Sequence, residues 1–521
     1  MTTIETTSGR LAGSRHGPVE AFLGVPYAAP PIDGLRFQSP KPPKAWRGVR
    51  QATAFGPSAI QMIDPMVSWI YTPPDAMSED CLSLNVWAPA GAANRPVVVW
   101  IHGGGFRTGS SAMPLFEGRQ FSTQADVVLV SINHRNSTLG WLSHPLFVDP
   151  DTGATGNWGL QDQVQALRWV RDNIAAFGGD PGRVTVMGQS GGAINAIMIA
   201  QDPLTRPLVR QLILLSPPYI APPGFANTAD AAVLTEELAH SLGTTVAGLR
   251  DVAAADLQMA EIVQWRSGRV RGETGRFLRG PVVDGVSLSQ WPAALALPTV
   301  PTLLGYTRTE GGFWTDLVDP EGRRLTPEPL TGAAEREACI QFLRRIFDAA
   351  SPAVAPAIAD AYLAAYAGKA ADAPSGVMAE LIGDALLRQY GLGAASRAAA
   401  MGARGLRVFD YALPVLAPGR GSPHCCELPV VFGTFDQPHY RRKIGDDAFV
   451  RALSGMIIAA FGAFAARGDP NIPALPDWPE FAPGGETTLV LGAGGELATI
   501  AATPKTDLLA QFAGLGPQPS D

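Results

Sequence analysis

The sequence predicts an α/β protein built on a large, mostly parallel central sheet with helices on both faces. Three observations lead there. Short, continuously apolar runs recur along the chain, longer stretches of helical periodicity separate them, and nothing in the composition divides the chain. The apolar runs are "VVVWI" (97–101), "VVLVSI" (127–132), "VTVM" (184–187), "LILL" (212–215), "TLLG" (302–305) and "LRVFDYAL" (406–413). Unbroken rather than alternating apolarity marks strands covered on both faces, as in a parallel sheet flanked by helices. Between two of them Leu160, Val164, Leu167, Val170 and Ile174 recur at helical spacing, and the glycines and proline of "FGGDPGR" end the stripe. With no internal repeat, charged block or low-complexity linker, residues 1–521 are expected to form a single domain.

Composition narrows the function classes. Hydrophobic residues make up 46% of the 521 and charged residues 17%, enough apolar material for a sizeable core. A net charge of −7 offers no electrostatic case for nucleic acid or an anionic membrane as partner. The opening "MTTIETTSGRLAGSRHG" lacks the apolar segment of a secretory signal, and no run reaches the roughly 18 uninterrupted apolar residues of a membrane helix. The four cysteines, Cys81, Cys339, Cys425 and Cys426, match no metal-binding spacing and are too few for a disulfide framework. A cytoplasmic chain with free thiols, no metal and no cofactor is expected.

The chemistry is concentrated in "VTVMGQSGGA" (184–193), where Ser190 lies among Gly188, Gly191 and Gly192. A serine on a sharp strand-to-helix turn needs small neighbours, and G-x-S-x-G is the nucleophile elbow of α/β-hydrolases. The context fits, since a strand precedes Ser190 and the small-residue stretch "GGAINAIMIA" follows it. Acyl transfer also needs amides aimed at the developing oxyanion. "HGGGF" (102–106) follows the strand "VVVWI", so the expected hole combines the N–H groups of Gly104 and Gly105 with that of Gly191 at the helix start.

A base and an acid must follow in the order serine, acid, histidine. Three histidines lie beyond Ser190: His240 in "LTEELAHSL", His439 in the polar stretch "DQPHYRRK", and His424 in "GSPHCCELPVVFG" after a strand. For the acid, Glu310 in "GYTRTEGGFW" follows the strand "TLLG", with Asp284 and Asp316 as competitors that spacing leaves open.

Taken in order, these segments resemble the type-B carboxylesterase family, which includes the cholinesterases. "FLGVPYAAPPIDGLRFQSP", "SEDCLSLNVWAP", "HGGGF" and "GNWGLQDQVQALRWVRDNIAAFGGDPGRVTVMGQSGGA" are similar to its signature segments, and "EGGFW", "HCCELPVVFG" and "FAARGDPN" complete the series almost end to end. The resemblance implies an α/β-hydrolase fold with Ser190 as nucleophile, Glu310 as acid and His424 as base. It implies a small-molecule ester as substrate and no cofactor, and leaves carbamates, amides and thioesters as alternatives. It further suggests that Phe313 and Trp314, with Phe106 as a further candidate, line the pocket and that Ser216 hydrogen-bonds the acid. Adhesion proteins of this family that lack catalysis are a remoter alternative, because here the triad is intact. The oligomeric state is not legible.

The chain departs from the family pattern in several places. Gln189 and Gly191 stand where G-E-S-A-G has glutamate and alanine, so a charge beside the nucleophile is lost. His134 replaces a family tyrosine and reads as structural. Cys81 occupies a half-cystine position whose usual partner is missing, with Ala59 or Ile60 in its place, which suggests a free buried thiol. Cys425 and Cys426 read as small packing residues. Arg266, Arg269, Arg271, Arg276 and Arg279 crowd around Glu273 in "WRSGRVRGETGRFLRG", a solvated face or a basic rim for an anionic ester.

Overall fold

The structure is a computed structural model that describes residues 2–63, 69–218, 225–266, 277–289, 297–315, 330–347, 353–369, 373, 376–417, 419–482, 486–503 and 505–512. Its strands, in chain order, are β1 (Thr2–Thr6), β2 (Gly9–His16), β3 (Val19–Pro26), β4 (Val49–Gln51), β5 (Ser83–Pro89), β6 (Arg95–Ile101), β7 (Val128–Ile132) and β8 (Gly179–Gln189). There follow β9 (Gln211–Leu215), β10 (Phe225–Asn227), β11 (Phe277–Val283), β12 (Thr302–Thr307), β13 (Leu406–Tyr411), β14 (Thr487–Leu491) and β15 (Ala498–Ala502).

Among the described residues one sheet runs β1-β2-β3-β5-β7-β6-β8-β9-β12-β13-β14-β15, with β4 beside β2, while β10 and β11 form a separate parallel pair. From β7 across to β14 every pairing is parallel. The first four strands of the order and the last are joined antiparallel. All six apolar runs lie in the parallel part, where both faces are covered: in β6, Val97 to Ile101 are all fully buried. The antiparallel N-terminal strands escape the apolar criterion because sequences such as "TTIET" keep one side toward solvent. The fold expectation holds, with that antiparallel margin added.

Helices cover both faces. The predicted stripe is the helix Trp158–Asn173, which buries Leu160, Leu167 and Val170 and runs into a short 3-10 turn that Gly178 ends at φ +81°. On the other side lies the helix Ala448–Arg467, capped by the Asp447 carboxylate accepting from Val450 N at 2.9 Å. This helix is long and apolar enough to cross a membrane by length and composition, yet Leu453, Ile457, Phe461 and Phe464 are buried against the sheet. All four cysteines are free and buried, including Cys81 beside the missing-partner position.

Candidate active site

The four strands β8, β9, β12 and β13 are neighbours, and at the carboxyl end of each stands one residue of the predicted site. That is where open parallel sheets bind ligands, because the strand order and the loops leave a crevice there.

Strand β8 ends at Gln189, and the chain turns through Ser190 into the helix Gly191–Gln201. Ser190 has φ +52° and ψ −124°, a backbone state that costs a non-glycine residue on the order of 1–3 kcal/mol. Its surroundings impose it. The Ser190 amide donates to Leu215 O at 2.8 Å, and the Ser190 carbonyl accepts from Ala193 and Ile194. The flanking glycines are required by close approach: a Cβ on Gly188 would lie 2.4 Å from Gly192 O, and one on Gly192 would lie 2.2 Å from Ile101 O.

The glycine loop follows β6. Gly104 (φ +118°), Gly105 (φ +60°) and Phe106 (φ +65°) all adopt left-handed or related conformations. The amides of Arg107 and Thr108 turn back onto Gly104 O, while among the described residues no backbone carbonyl accepts from Gly104 or Gly105. The amides of Gly105 and Phe106 lie against the start of the Ser190 helix: a Cβ on Gly191 would lie 3.4 Å from Gly105 N and 3.5 Å from Phe106 N. The alanine usual in the family would therefore fit, and the glycine here adds room without moving an amide.

Beneath this loop His102 stacks on His134, ring centroids 4.4 Å apart and planes 17° apart, both buried. Burial pushes the His102 imidazole down to about 4, partly countered by its bond to Gly103 O. Burial, with His102 alongside, also holds His134 well below the ordinary histidine range. Both rings are neutral at pH 7 and pack as the loop's floor, so His134 sits as a structural residue.

Glu310 follows β12 and His424 follows β13. His424 Nδ1 donates to Glu310 Oε2 at 2.6 Å. The other carboxylate oxygen, Oε1, accepts from Ser216 Oγ at 2.6 Å and from Thr307 N at 2.8 Å. Burial by itself raises the Glu310 carboxyl, but the His424 charge and the bonds from His424, Ser216 and Thr307 outweigh it and hold Glu310 below the usual carboxylate value. The acid is thus ionised and oriented. Ser216 itself sits at φ +48° at the end of β9.

Aromatic rings wall the imidazole. Trp314 stacks on His424 at 5.4 Å and 27°, and Phe313 meets it edge-on at 5.4 Å. Phe313 is buried between His424 and Trp69, whereas Trp314 remains partly exposed. Phe106 is buried against Trp141.

Three residues near the site carry no sequence signal of their role. Gln189 places its amide nitrogen 3.0 Å from His424 Nε2, and among the described residues no hydrogen bond joins Ser190 Oγ to His424. Arg388, on a π-helical turn (Asp384–Arg388), donates to the carbonyls of Thr307 and Arg308 and pairs with Asp384 and Asp410. It thereby pins the turn that presents Glu310. Glu427, three residues past His424, is buried with both carboxyl oxygens unpartnered among the described residues.

The described competitors are engaged elsewhere or lie at the surface. Asp284 caps its own turn, accepting from Val286, Ser287 and Leu288 amides. Asp316 lies outside the described residues, as do Arg269, Arg271, Glu273 and Arg276 and the side chains of Arg266 and Arg279. His240 is exposed in the last turn of the helix Thr228–Ser241. His439 is half-buried rather than in an open stretch, in the helix Pro438–Ile444 with its Nε2 2.8 Å from Lys443 Nζ.

The chain is similar to known proteins over nearly its whole length. A model of the carboxylesterase family matches residues 1–508. The chain is 34% identical over 515 residues to the phenmedipham hydrolase of Pseudarthrobacter oxydans, spanning 96% of this chain and 97% of that one. It is 31% identical over 496 residues to the para-nitrobenzyl esterase of Bacillus subtilis (strain 168), spanning 94% of each. A solved PNB esterase superposes with a TM-score of 0.79 at 28% identity, covering 99% of both chains. With the α/β-hydrolase architecture and relatives that cover nearly its whole length, the chain belongs to the carboxylesterase family and is a carboxylesterase.

Proposed function

We propose that the chain, acting as one hydrolase domain, cleaves small carboxylic esters through an acyl-enzyme on Ser190. The observation that carries this reading is the Ser216–Glu310–His424 chain, set beside the strained turn that presents Ser190. His424 Nε2 takes the Ser190 proton as Oγ attacks the ester carbonyl, and Glu310 holds the Nδ1 proton and stabilises the imidazolium. The amides of Gly104, Gly105 and Gly191 receive the oxyanion. Collapse of the tetrahedral intermediate passes the proton from His424 to the departing alcohol. Water then attacks the acyl-enzyme by the same route in reverse roles. No cofactor or metal enters these steps.

Trp314, partly exposed against His424, is the side chain best placed to meet substrate; Phe313 and Phe106 shape the pocket from behind. A cytoplasmic setting goes with this reading and draws support from the four free, buried thiols.

The test is hydrolysis of p-nitrophenyl esters from acetate to octanoate, with a p-nitrobenzyl ester and phenmedipham added because relatives carry those names. Ser190→Ala is expected to lose roughly 10⁴-fold or more in kcat. A mutant that keeps wild-type turnover overturns the assignment.

A further inference from the structure

Gln189 is fully buried between the oxyanion loop and the His424 loop. Its amide nitrogen lies 3.0 Å from His424 Nε2 and 3.1 Å from Cys425 Sγ. Its carbonyl oxygen accepts from Tyr71 Oη at 3.3 Å. Gly103 makes room for it, since a Cβ there would lie 2.3 Å from Gln189 Oε1. Cys425 is bent toward it at φ +73°. The carboxamide is therefore held between His424 Nε2, Cys425 Sγ and Tyr71 Oη.

His424 spends its Nδ1 proton on Glu310, so Nε2 carries the lone pair that must accept the Ser190 proton. In the resting enzyme Gln189 N–H donates to that lone pair. Once Ser190 has attacked, Nε2 bears a proton and becomes a donor, which an amide nitrogen cannot accept. A half-turn of the carboxamide brings Oε1 to the imidazolium instead. Both remaining partners tolerate the turn, because a thiol and a phenol hydroxyl can each donate or accept. Burial holds Tyr71 and Cys425 in their protonated forms, with Glu427 and Glu310 adding to the effect on Cys425.

Building on the Ser190 mechanism above, we propose that Gln189 is a positioning residue that holds the resting His424 through Nε2 and yields it to Ser190 Oγ when the proton moves, its carboxamide turning so that Oε1 shares the imidazolium proton with the departing alcohol. A glutamate here accepts in both states and carries charge when ionised. The glutamine keeps the resting base free of a neighbouring negative charge. The ionisable groups around the pair include Glu310 on the β12 loop, Arg420, Cys425, Cys426 and Glu427 on the His424 loop, Tyr71 before β5, and Tyr440 on the helix Pro438–Ile444.

The test compares wild type, Gln189→Glu, Gln189→Met and Ser190→Ala on p-nitrophenyl butyrate from pH 5 to 9, with thermal melts of each. For Gln189→Glu the acid limb of kcat/KM is expected to move up by about one pH unit, because a carboxylate beside Nε2 favours the imidazolium. For Gln189→Met, which has the shape without the hydrogen bonds, kcat is expected to fall about tenfold with KM nearly unchanged. An unmoved acid limb in Gln189→Glu together with wild-type kcat in Gln189→Met overturns the proposal. If Ser190→Ala is inactive in that case, only the Gln189 role is lost. An active Ser190→Ala removes the serine mechanism itself.

Discussion

Replacing Glu427 by glutamine is expected to stabilise the protein in a pH-dependent way. The side chain is buried, both its oxygens are unpartnered among the described residues, and burial, then the nearby Glu310, push its carboxyl from 4.5 up to about 8. A buried acid with a raised value binds its proton more tightly folded than unfolded. Below pH 4.5 both states are protonated and its contribution is whole. Between 4.5 and about 8 the unfolded chain ionises first, and stability falls by about 1.4 kcal/mol per pH unit. Above that window both states are ionised and the loss, on the order of 5 kcal/mol, is complete. Glutamine keeps the shape of the neutral acid and does not titrate. A chain of this length has an unfolding entropy near 1 kcal/mol per degree. The Tm advantage of Glu427→Gln should therefore grow from near zero at pH 4.5 to roughly 4 °C at pH 8.5. Calorimetry of both proteins at one scan rate and several pH values measures it. A gap that stays constant from pH 5 to pH 8.5 refutes the reasoning, because a packing effect has no pH slope.

Ser216→Ala removes a 2.6 Å bond to Glu310 Oε1 while Thr307 N still holds that oxygen. Losing one hydrogen bond to a charged group should lower kcat about 10- to 100-fold with little change in KM, read from steady-state ester hydrolysis. Gly104→Ala places a methyl 2.1 Å from Thr108 O at φ +118° and must displace the loop. A fall of at least about 10²-fold in kcat is expected. Gly191→Ala, whose methyl has room at 3.4 Å from Gly105 N, should stay within a few-fold of wild type in the same assay.

Much of the site was legible because its residues announce themselves locally. Ser190 stands on a glycine-fenced turn, and Glu310 and His424 each follow an apolar strand whose burial on both faces shows in its composition. The register that makes those strand ends neighbours is not local. Gln189 could be read only as a lost charge, since its contact with His424 joins residues 235 apart in sequence. Arg388 was silent for the same reason, as its partners come from β12, β13 and its own helix. Aromatic residues are ambiguous for a different reason. Phe313 carries the same local pattern whether it meets a ligand or walls an imidazole, and the structure buries it against His424. Likewise β1, whose burial alternates along "TTIET", is hidden from a search for buried runs.

On the proposed mechanism, the delivery of Ser190, Ser216, Glu310 and His424 by four adjacent strands ties catalysis to the completion of folding. Parallel neighbours pair only after a long crossover has been made, so this part of the sheet gathers late and from distant chain. β9 supplies the carbonyl that holds the Ser190 turn, and β13 brings the imidazole that Glu310 needs. On that mechanism a nascent chain that has emerged only as far as the loop after β12 holds a serine, an acid and an oxyanion loop but no base. Until His424 arrives, an exposed hydroxyl at Ser190 is an ordinary alcohol. By that mechanism the growing polypeptide gains no esterase activity before the His424 loop docks, so turnover during refolding cannot precede the docking of β13.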